Sequence, residues 1–352
     1  MGVEGPISPI DDCRASLTAR QAEVLRCVVR VHVHAGGPVS SAAVVAELRQ
    51  PISSATVRVE MGILAQLGLL GRAHSSSGRI PTAAGLRLYV DHLMQARPPS
   101  HQARGHLAVA LEGVEPESRL RTASRYLAGR CTLAAIGRHP RLDDVVVERL
   151  ELVTLSADRV LAVLVLGDGS VRHRHIQTPC PPQTAERTRA LFAERFTGWS
   201  LGRIREALMA ELNADGHGPR APLLALAAQA LPAVESADDA VIVEGRTHLL
   251  DRVGGDVPEV MRTLEEKRML LQVMDGLEAA AGCHSRVVLG VETGLESLRG
   301  MALVAAMFGA PGQPPGTLAV IGPVRMDYAR IVPWVTYTAG ALSGRLAADG
   351  VG

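Results

Sequence analysis

Hydrophobic residues near the start of the chain recur at helical spacing in three successive segments. The first segment follows Thr18, which together with Gln21 fits the pattern of a capping box, and it stops at Gly36. The other two segments are shorter, and each begins beside a pair of serines that can serve as helix N-caps. The pattern therefore predicts three helices, at about residues 19–35, 41–50 and 55–66.

The third predicted helix has two contrasting faces. Its buried face is predicted to consist of Val57, Met61, Leu64 and Gly68. Its outward face carries mostly small residues, with an arginine on the flank: Ala55, Val59, Gly62, Gln66 and Arg58. Small residues permit close approach to a groove wall, and Arg58, Ser54 and Thr56 offer hydrogen-bond donors. A third helix of this kind is suited to enter the major groove of DNA.

A β-hairpin is predicted after the third helix, with strands at 69–73 and 79–80 and a serine-rich turn at 75–78. Pro81 is expected to end the second strand, and Thr82 is expected to cap a further amphipathic helix. This arrangement indicates a winged helix-turn-helix. Its candidate DNA-contacting residues are Ser53, Ser54, Thr56, Arg58, Val59, Arg72, His74, Ser75, Ser77 and Arg79.

The charge distribution bears on what this N-terminal region contacts. The chain has a net charge of only +1, but residues 14–97 hold ten arginines against four acidic residues, a net charge of +6. Winged helices also serve as protein-interaction modules, and three helices with a hairpin can be a plain structural core. The basic bias and the polar hairpin tip favour double-stranded DNA as the partner.

The remainder of the chain predicts a mixed α+β body. Residues 96–105, with consecutive prolines, are predicted to be a linker. Strands are expected within 145–176, helices within 184–230 and 258–281, strands again within 286–321, and a last helix at about 327–346. Strands interrupted by a helical stretch and then resumed indicate one domain split by an inserted subdomain.

Four sequence blocks of the N-terminal region together resemble the HrcA family of bacterial heat-inducible repressors. They are Leu-Thr-Ala-Arg-Gln at 17–21, Gly-Pro-Val-Ser-Ser at 37–41, Ser-Ser-Ala-Thr-Val-Arg at 53–58 and Ser-Gly-Arg-Ile-Pro-Thr at 77–82. The run at 316–330 and the Val-Glu-Gly at 243–245 are also similar to this family. The chain departs from the family at Val59, where asparagine is usual, and at Ala84, where lysine is usual.

The resemblance implies a fold class and a domain plan for the α+β chain. It implies a winged-helix domain at 14–95, a linker at 96–105, and a GAF-like α+β domain in two segments at 106–183 and 251–349. A helical dimerisation subdomain is expected to be inserted at 184–250. The resemblance also implies a homodimer that binds an inverted-repeat operator of chaperone operons, is released on heat stress and is modulated by a GroEL-type chaperonin.

Other classes of function find less support in the sequence. The five cysteines are dispersed without a CxxC pair, and no nucleotide-binding or hydrolase motif is present, so no cofactor and no enzyme activity are expected. His173 and His175 share a strand face and could ligate a metal, but a third ligand is not evident and a solvated face is favoured. No signal peptide or apolar span is recognisable, which makes the bacterial cytoplasm the expected location. The alternative hypothesis is a winged-helix regulator whose GAF-like domain senses a small molecule.

Overall fold

The structure of this protein is a computed structural model. The protein has two hydrophobic cores. One core joins the N-terminal helices to a five-stranded sheet, and the other is confined to residues between 142 and 231. The structure describes residues 17–48, 50–72, 78–167, 169–214, 218–232, 241–250, 271–276, 285–309 and 314–349.

Three helices form the start of the described chain, as the hydrophobic pattern predicts. They are α1 (Ala19–Ala35), α2 (Ser41–Glu47) and α3 (Ser54–Gln66). The capping box of α1 is confirmed: the Gln21 amide N–H donates to the Thr18 hydroxyl (3.2 Å), and the Thr18 amide N–H donates to Gln21 Oε1 (2.9 Å). Local side-chain chemistry therefore sets where the first helix begins.

The other two helices begin at serines, and one detail of the predicted α3 face is wrong. Ser40 caps α2 and Ser53 caps α3. Three residues of the predicted inner face are buried: Val57, Met61 and Leu64. Gly68 is exposed instead, because α3 has already ended and Gly68 adopts a left-handed conformation (φ +74°) that turns the chain toward the hairpin.

The predicted hairpin is present as two short antiparallel strands, β1 (Leu70–Arg72) and β2 (Arg79–Pro81). The second strand includes Pro81, which was expected to follow it. Pro81 pairs only with Leu70 of β1, so a residue without an amide N–H is tolerated there. The helix after Thr82 is confirmed as α4 (Ala83–Leu88), which continues into a π-helical turn at Tyr89–Leu93. We call the unit from residue 17 to residue 94 the head.

The predicted linker at 96–105 is wrong in its second half. Helix α5 (His101–Ala110) begins there, and the Ser100 hydroxyl accepts a hydrogen bond from the Ala103 amide (3.3 Å) as its N-cap. Only Ala103 and Leu107 of this helix are buried, so its hydrophobic periodicity is too weak to be recognised behind the prolines. Helix α6 (Pro116–Cys131) follows.

The body, residues 95–349, is built on a five-stranded antiparallel sheet in the order β7-β3-β10-β9-β8. Its strands are β3 (Ala134–Arg138), β7 (Val241–Glu244), β8 (Arg286–Leu289), β9 (Met301–Phe308) and β10 (Gly316–Pro323). Helices α6 and α11 (Tyr328–Asp349) pack together against this sheet. A short helix, α10 (Arg246–Leu250), follows β7, and residues 271–276 are helical.

A separate subdomain occupies the chain between β3 and β7. Its three antiparallel strands, in the order β4-β5-β6, are β4 (Val147–Ser156), β5 (Arg159–Leu166) and β6 (Val171–Gln177). Its helices are α7 (Pro182–Arg195), α8 (Leu201–Ala214) and α9 (Ala221–Ala230). Phe192, Phe196 and Leu164 lie in the core between this sheet and these helices. We call residues 142–231 the insert.

The insert therefore has different limits from those expected. The sequence interpretation placed residues 106–183 in the GAF-like domain and began the insert at 184, whereas strands β4 to β6 share a core with the insert helices. It also placed β7 in the insert, whereas β7 pairs with β3 of the body sheet. Strand pairing separates these units, and pairing between distant segments leaves no local signal in the sequence. Most of the helix predicted at 258–281 lies outside the described residues.

Candidate nucleic-acid interface

The N-terminus of α3 is fixed by a group of hydroxyls. Ser53 Oγ accepts the Thr56 amide N–H (3.1 Å) and lies 2.9 Å from Thr56 Oγ1. Ser54 Oγ lies 2.8 Å from Ser41 Oγ and so joins α3 to the start of α2. The hydroxyls of Ser53, Ser54 and Thr56, predicted as DNA contacts, thus help to fix the start of α3. Each can form further hydrogen bonds at this partly exposed end of the helix.

The outward face of α3 presents Arg58 and Val59. The Val59 side chain is 63% exposed, the largest exposure among the large hydrophobic residues of this helix, and Arg58 is exposed beside it. Within the described part of the chain, Arg58 forms no ion pair or hydrogen bond. A cation and an apolar side chain are therefore displayed together on the helix face that the sequence predicts to point outward.

The hairpin is attached to the loop between α1 and α2. The amides of Arg79 and Val39 exchange hydrogen bonds with each other's carbonyls (2.9 and 2.8 Å), so Val39 extends the ladder by one bridge. A Cβ on Gly78 would lie 2.8 Å from Pro38 Cβ, so this close approach favours glycine. Arg72 and Arg79 are cross-strand neighbours and have no ion-pair partner among the described residues. His74, Ser75 and Ser77, predicted at the hairpin tip, lie outside the described residues.

Ion pairs neutralise the head arginines that face the body. Arg26 pairs with Glu23, and Arg30 pairs with Glu47 (2.9 Å). Arg87 pairs with Asp91 and with Glu292 of the body. The head's unpaired positive charge, among the described residues, thus belongs to Arg20, Arg58, Arg72 and Arg79. Three of these four arginines lie on α3 or the hairpin.

The junction between head and body depends first on Arg87, which the sequence interpretation did not single out. Arg87 donates from Nε to Glu292 Oε1 (3.0 Å) and from Nη2 to the Val287 carbonyl (2.9 Å). Burial disfavours the Arg87 cation, but its hydrogen bonds and ion pairs to Glu292 and Asp91 outweigh this and raise its pKa. This makes Arg87 a permanently charged link between α4 and β8.

Two further contacts hold the C-cap of α1 and the segment after the head against residues 325–329. Arg97 binds the Asp327 carboxylate, and its amide N–H donates to the Ala329 carbonyl (2.8 Å). Arg325 Nη1 donates to the carbonyl of Gly36, the C-cap of α1 (3.0 Å). No local pattern marks these arginines, because their partners lie about 200 to 300 residues away along the chain.

Candidate sites of other kinds receive little support. His173 and His175 are both exposed on β6, and no group of three or more metal-ligating side chains occurs within the described ranges. None of the described helices is long and apolar enough to cross a membrane.

Comparisons with known proteins agree over nearly the whole chain. A family model, the HrcA protein C terminal domain, matches residues 117–332. The heat-inducible transcription repressor HrcA of Xylella fastidiosa strain M12 is 33% identical over 341 residues, covering 94% of this chain and 96% of the relative. The repressor of the same name from Sphingopyxis alaskensis is 34% identical, covering 93% and 96%.

A solved structure shares the fold. The crystal structure of a hypothetical protein at 2.2 Å resolution superposes with a TM-score of 0.59 at 23% identity, covering 96% of this chain and 99% of the other. At this identity the likeness concerns the fold alone. The family model and the full-length relatives, taken with the head geometry, lead to one conclusion: the chain belongs to the HrcA family of heat-inducible transcription repressors.

Proposed function

We propose that the head is a winged helix that binds the operator through α3 and the β1–β2 hairpin. The observation that carries this proposal is the placement of charge: arginines facing the body are paired, while Arg58, Arg72 and Arg79 on α3 and the hairpin are not. Unpaired cations release counterions when they meet phosphates, and a guanidinium can also read a guanine edge bidentately. Arg58 and Val59 are proposed to reach bases, and the hairpin arginines to reach the backbone.

The test is a binding titration by fluorescence anisotropy with the full chain. A palindromic fragment from a chaperone promoter is compared with a random duplex of equal length across a series of salt concentrations. We expect tighter binding to the palindrome, with affinity falling steeply as salt rises. Equal affinity for both duplexes at every salt concentration contradicts the proposal.

Val59 is proposed to set base preference at one operator position. A valine offers only apolar contact, which suits the methyl group of thymine, whereas asparagine can pair bidentately with adenine. For Val59→Asn we expect preference at that position to move from thymine to adenine by about tenfold, since a bidentate pair contributes roughly 1–3 kcal/mol. Binding-site selection from a randomised duplex measures this; Gln66→Asn, on the same face at the end of α3, is the control. An unchanged consensus for Val59→Asn contradicts the assignment.

The same proposal includes a homodimer that places two heads on an inverted repeat. The insert offers a surface for it on the sheet side opposite its helices. Residues of that outer face pair across the strands, Val153 with Leu161 and Glu151 with Val163, and Val153 and Val171 are each 48% exposed. The aliphatic residues of this face suit a second copy of the chain. Arg149 and Glu151 on β4, which pair within one chain (3.8 Å), can also complement each other across a two-fold axis.

Charge placed on this face is expected to separate the dimer. Val153→Glu buries a carboxylate in the proposed interface, so the dimer dissociation constant should rise at least tenfold, which corresponds to about 1.4 kcal/mol or more. Sedimentation equilibrium measures the change. Val109→Glu is the control, since Val109 is 69% exposed on α5 and outside the insert. Unaltered assembly of Val153→Glu, or an equal loss in the control, removes this face from the proposal.

Heat release and chaperonin control complete the proposal. A repressor whose DNA-binding conformation is favoured by only a few kcal/mol can lose it on modest heating. A GroEL-type chaperonin that helps the chain regain this conformation would link repression to chaperonin availability. Footprinting of chaperone promoters with and without the chaperonin tests this part; protection that is the same in both conditions contradicts it.

A second candidate function, small-molecule sensing by the body, is favoured by one observation. A cavity of about 840 Å³ lies at the junction, between Arg87, Val90 and Met94 on one side and Val287 and Leu295 on the other. Its size falls in the range of ligand sites. A thermal-shift screen of metabolites tests it, and a screen in which no compound raises the melting temperature counts against it.

A further inference from the structure

A smaller cleft of about 360 Å³ lies where the head meets the start of α11. On the head side it is lined by α1 and the π-helical turn, and on the body side by residues 326–329. Four basic side chains line it, Arg26, Arg30, His34 and Arg97, together with Tyr89, Gln95 and Asp327. Three arginines and a histidine face one carboxylate in the lining, and the carboxylates that pair with Arg26 and Arg30 lie outside it, so the cleft is lined mainly by hydrogen-bond donors.

Tyr89 contributes a hydroxyl donor to the cleft. Its side chain is almost fully buried, at 4% exposure, and it lines the cleft, yet its hydroxyl has no hydrogen-bond partner among the described residues. The hydroxyl itself reaches the solvent of the cleft, so it can donate to whatever occupies the cleft. Burial and Asp327 raise the Tyr89 pKa, while Arg30, Arg97 and Arg26 act to lower it, which places all three guanidiniums within electrostatic range. The tyrosine is thus a neutral donor surrounded by cations.

The arginines are held in place with donors to spare. Arg26 Nε donates to the Leu93 carbonyl (3.1 Å), and its Nη1 pairs with Glu23. Arg30 uses Nη2 to bind Glu47 (2.9 Å). Neither glutamate is part of the lining of the cleft. Because a guanidinium carries five N–H groups, each side chain can be oriented by its partner and still donate to a ligand.

The start of α11 adds a fixed positive potential. This helix is 22 residues long and begins at Tyr328, so the positive end of its dipole lies at residues 326–329, which line the cleft. The Tyr328 and Arg330 amides already donate to the carbonyls of Met326 and Asp327 (3.0 and 3.1 Å), so the helix contributes its dipole rather than these amides. The resident carboxylate, Asp327, is bound by Arg97. Arg26, Arg30 and Tyr89 therefore remain to hold a second anion.

We propose that this cleft binds a small phosphate-bearing molecule through Arg26, Arg30 and Tyr89, beside the N-terminus of α11. Guanidiniums and a phenol are donors, the positive end of the helix dipole favours an anion, and a phosphate offers several acceptor oxygens. The volume admits a phosphoryl group with a small organic remainder. Because α1 contributes one wall and α11 the other, the bound ligand holds the head against the body and so controls the position of α3.

The experiment is isothermal titration of the full-length protein, without DNA, in chloride buffer. The probes are inorganic phosphate and glycerol 3-phosphate, with glycerol as the uncharged control. We expect both phosphates, but not glycerol, to bind. Tyr89→Phe, which keeps the buried ring, should weaken binding about fivefold, and Arg30→Gln about tenfold. Tyr126→Phe is the matched control, because its hydroxyl donates to the Ala103 carbonyl (3.0 Å) and lies outside the cleft; its affinity should equal that of the parent protein.

Three results overturn the proposal. One is the absence of heat with either phosphate at about 10 mM, where a millimolar site is largely filled. Another is equal affinity in Tyr89→Phe, Arg30→Gln and the parent protein. The third is a pair of observations: a short random duplex displaces the bound phosphate, and Arg30→Gln loses DNA affinity and phosphate affinity to the same extent. Together these would assign the arginines to the DNA backbone. Should Arg30→Gln unfold by circular dichroism, Tyr89→Phe alone decides. The titration involves no operator, so its outcome is separate from that of the proposed function.

Discussion

Replacement of Arg58 by alanine is expected to weaken operator binding about tenfold for each half-site and about a hundredfold for a dimer that uses two, since one bidentate arginine–guanine contact contributes roughly 1–3 kcal/mol. Arg58 is exposed on α3 and has no ion-pair partner among the described residues, so its removal costs the folded protein little. Fluorescence anisotropy on the palindromic fragment and on a random duplex measures the loss.

Comparing the loss of affinity for the palindrome with the loss for the random duplex shows whether Arg58 contacts a base or a phosphate. If Arg58 reads a base, Arg58→Ala weakens binding to the palindrome much more than to the random duplex, and Arg58→Lys restores only the non-specific part. If Arg58 contacts a phosphate, both affinities fall together and the salt slope decreases by about one. The control is Arg121→Ala on α6, an exposed arginine of the body that pairs with Glu244 (3.2 Å). Full affinity in Arg58→Ala rules out α3 as the reading helix.

Gly85→Ala is expected to cause the largest loss of stability in the head. A Cβ at Gly85 would lie 2.1 Å from the Leu69 carbonyl oxygen, a backbone atom that also accepts the Thr82 amide N–H (3.1 Å). To make room, α4 must move away from the chain entering β1, which breaks the contact that positions the hairpin. We expect a cost of about 3 kcal/mol or more in the free energy of unfolding, at the upper end for overpacking because no side chain can rotate to relieve it.

Thermal unfolding followed by circular dichroism measures this effect, and Gly129→Ala is the matched control. Gly129 lies in α6, is exposed, and has no atom within 4 Å of the position its Cβ would occupy. The control should be stabilised by about 0.5–1 kcal/mol, because alanine restricts the unfolded chain and favours the helix. A Gly85→Ala protein that melts at the same temperature as the parent would mean that α4 and β1 are not held together as the structure has them.

The sequence by itself determined the head. Its helix starts depend on Thr18, Ser40 and Ser53, each of which bonds an amide only three residues away. The inner face of α3 follows from a helical period that is visible within a short window of the sequence. Such features are local, so they could be predicted without knowledge of the rest of the molecule. The same helical period predicts that Arg58 and Val59 lie on the outward face of α3.

Tertiary structure alone decided the plan of the body and how the head attaches to it. Strand β3 reads Ala-Ala-Ile-Gly-Arg, buried on both faces and poor in β-branched residues, so it has neither the alternation nor the composition of a recognisable strand. Pairing with β7 and β10, far along the chain, makes it a strand and thereby moves the limits of the insert. Likewise, Arg87 and Arg97 resemble any surface arginine until folding brings Glu292 and Asp327 beside them. Contacts between distant segments have no sequence period, and only the folded chain reveals them.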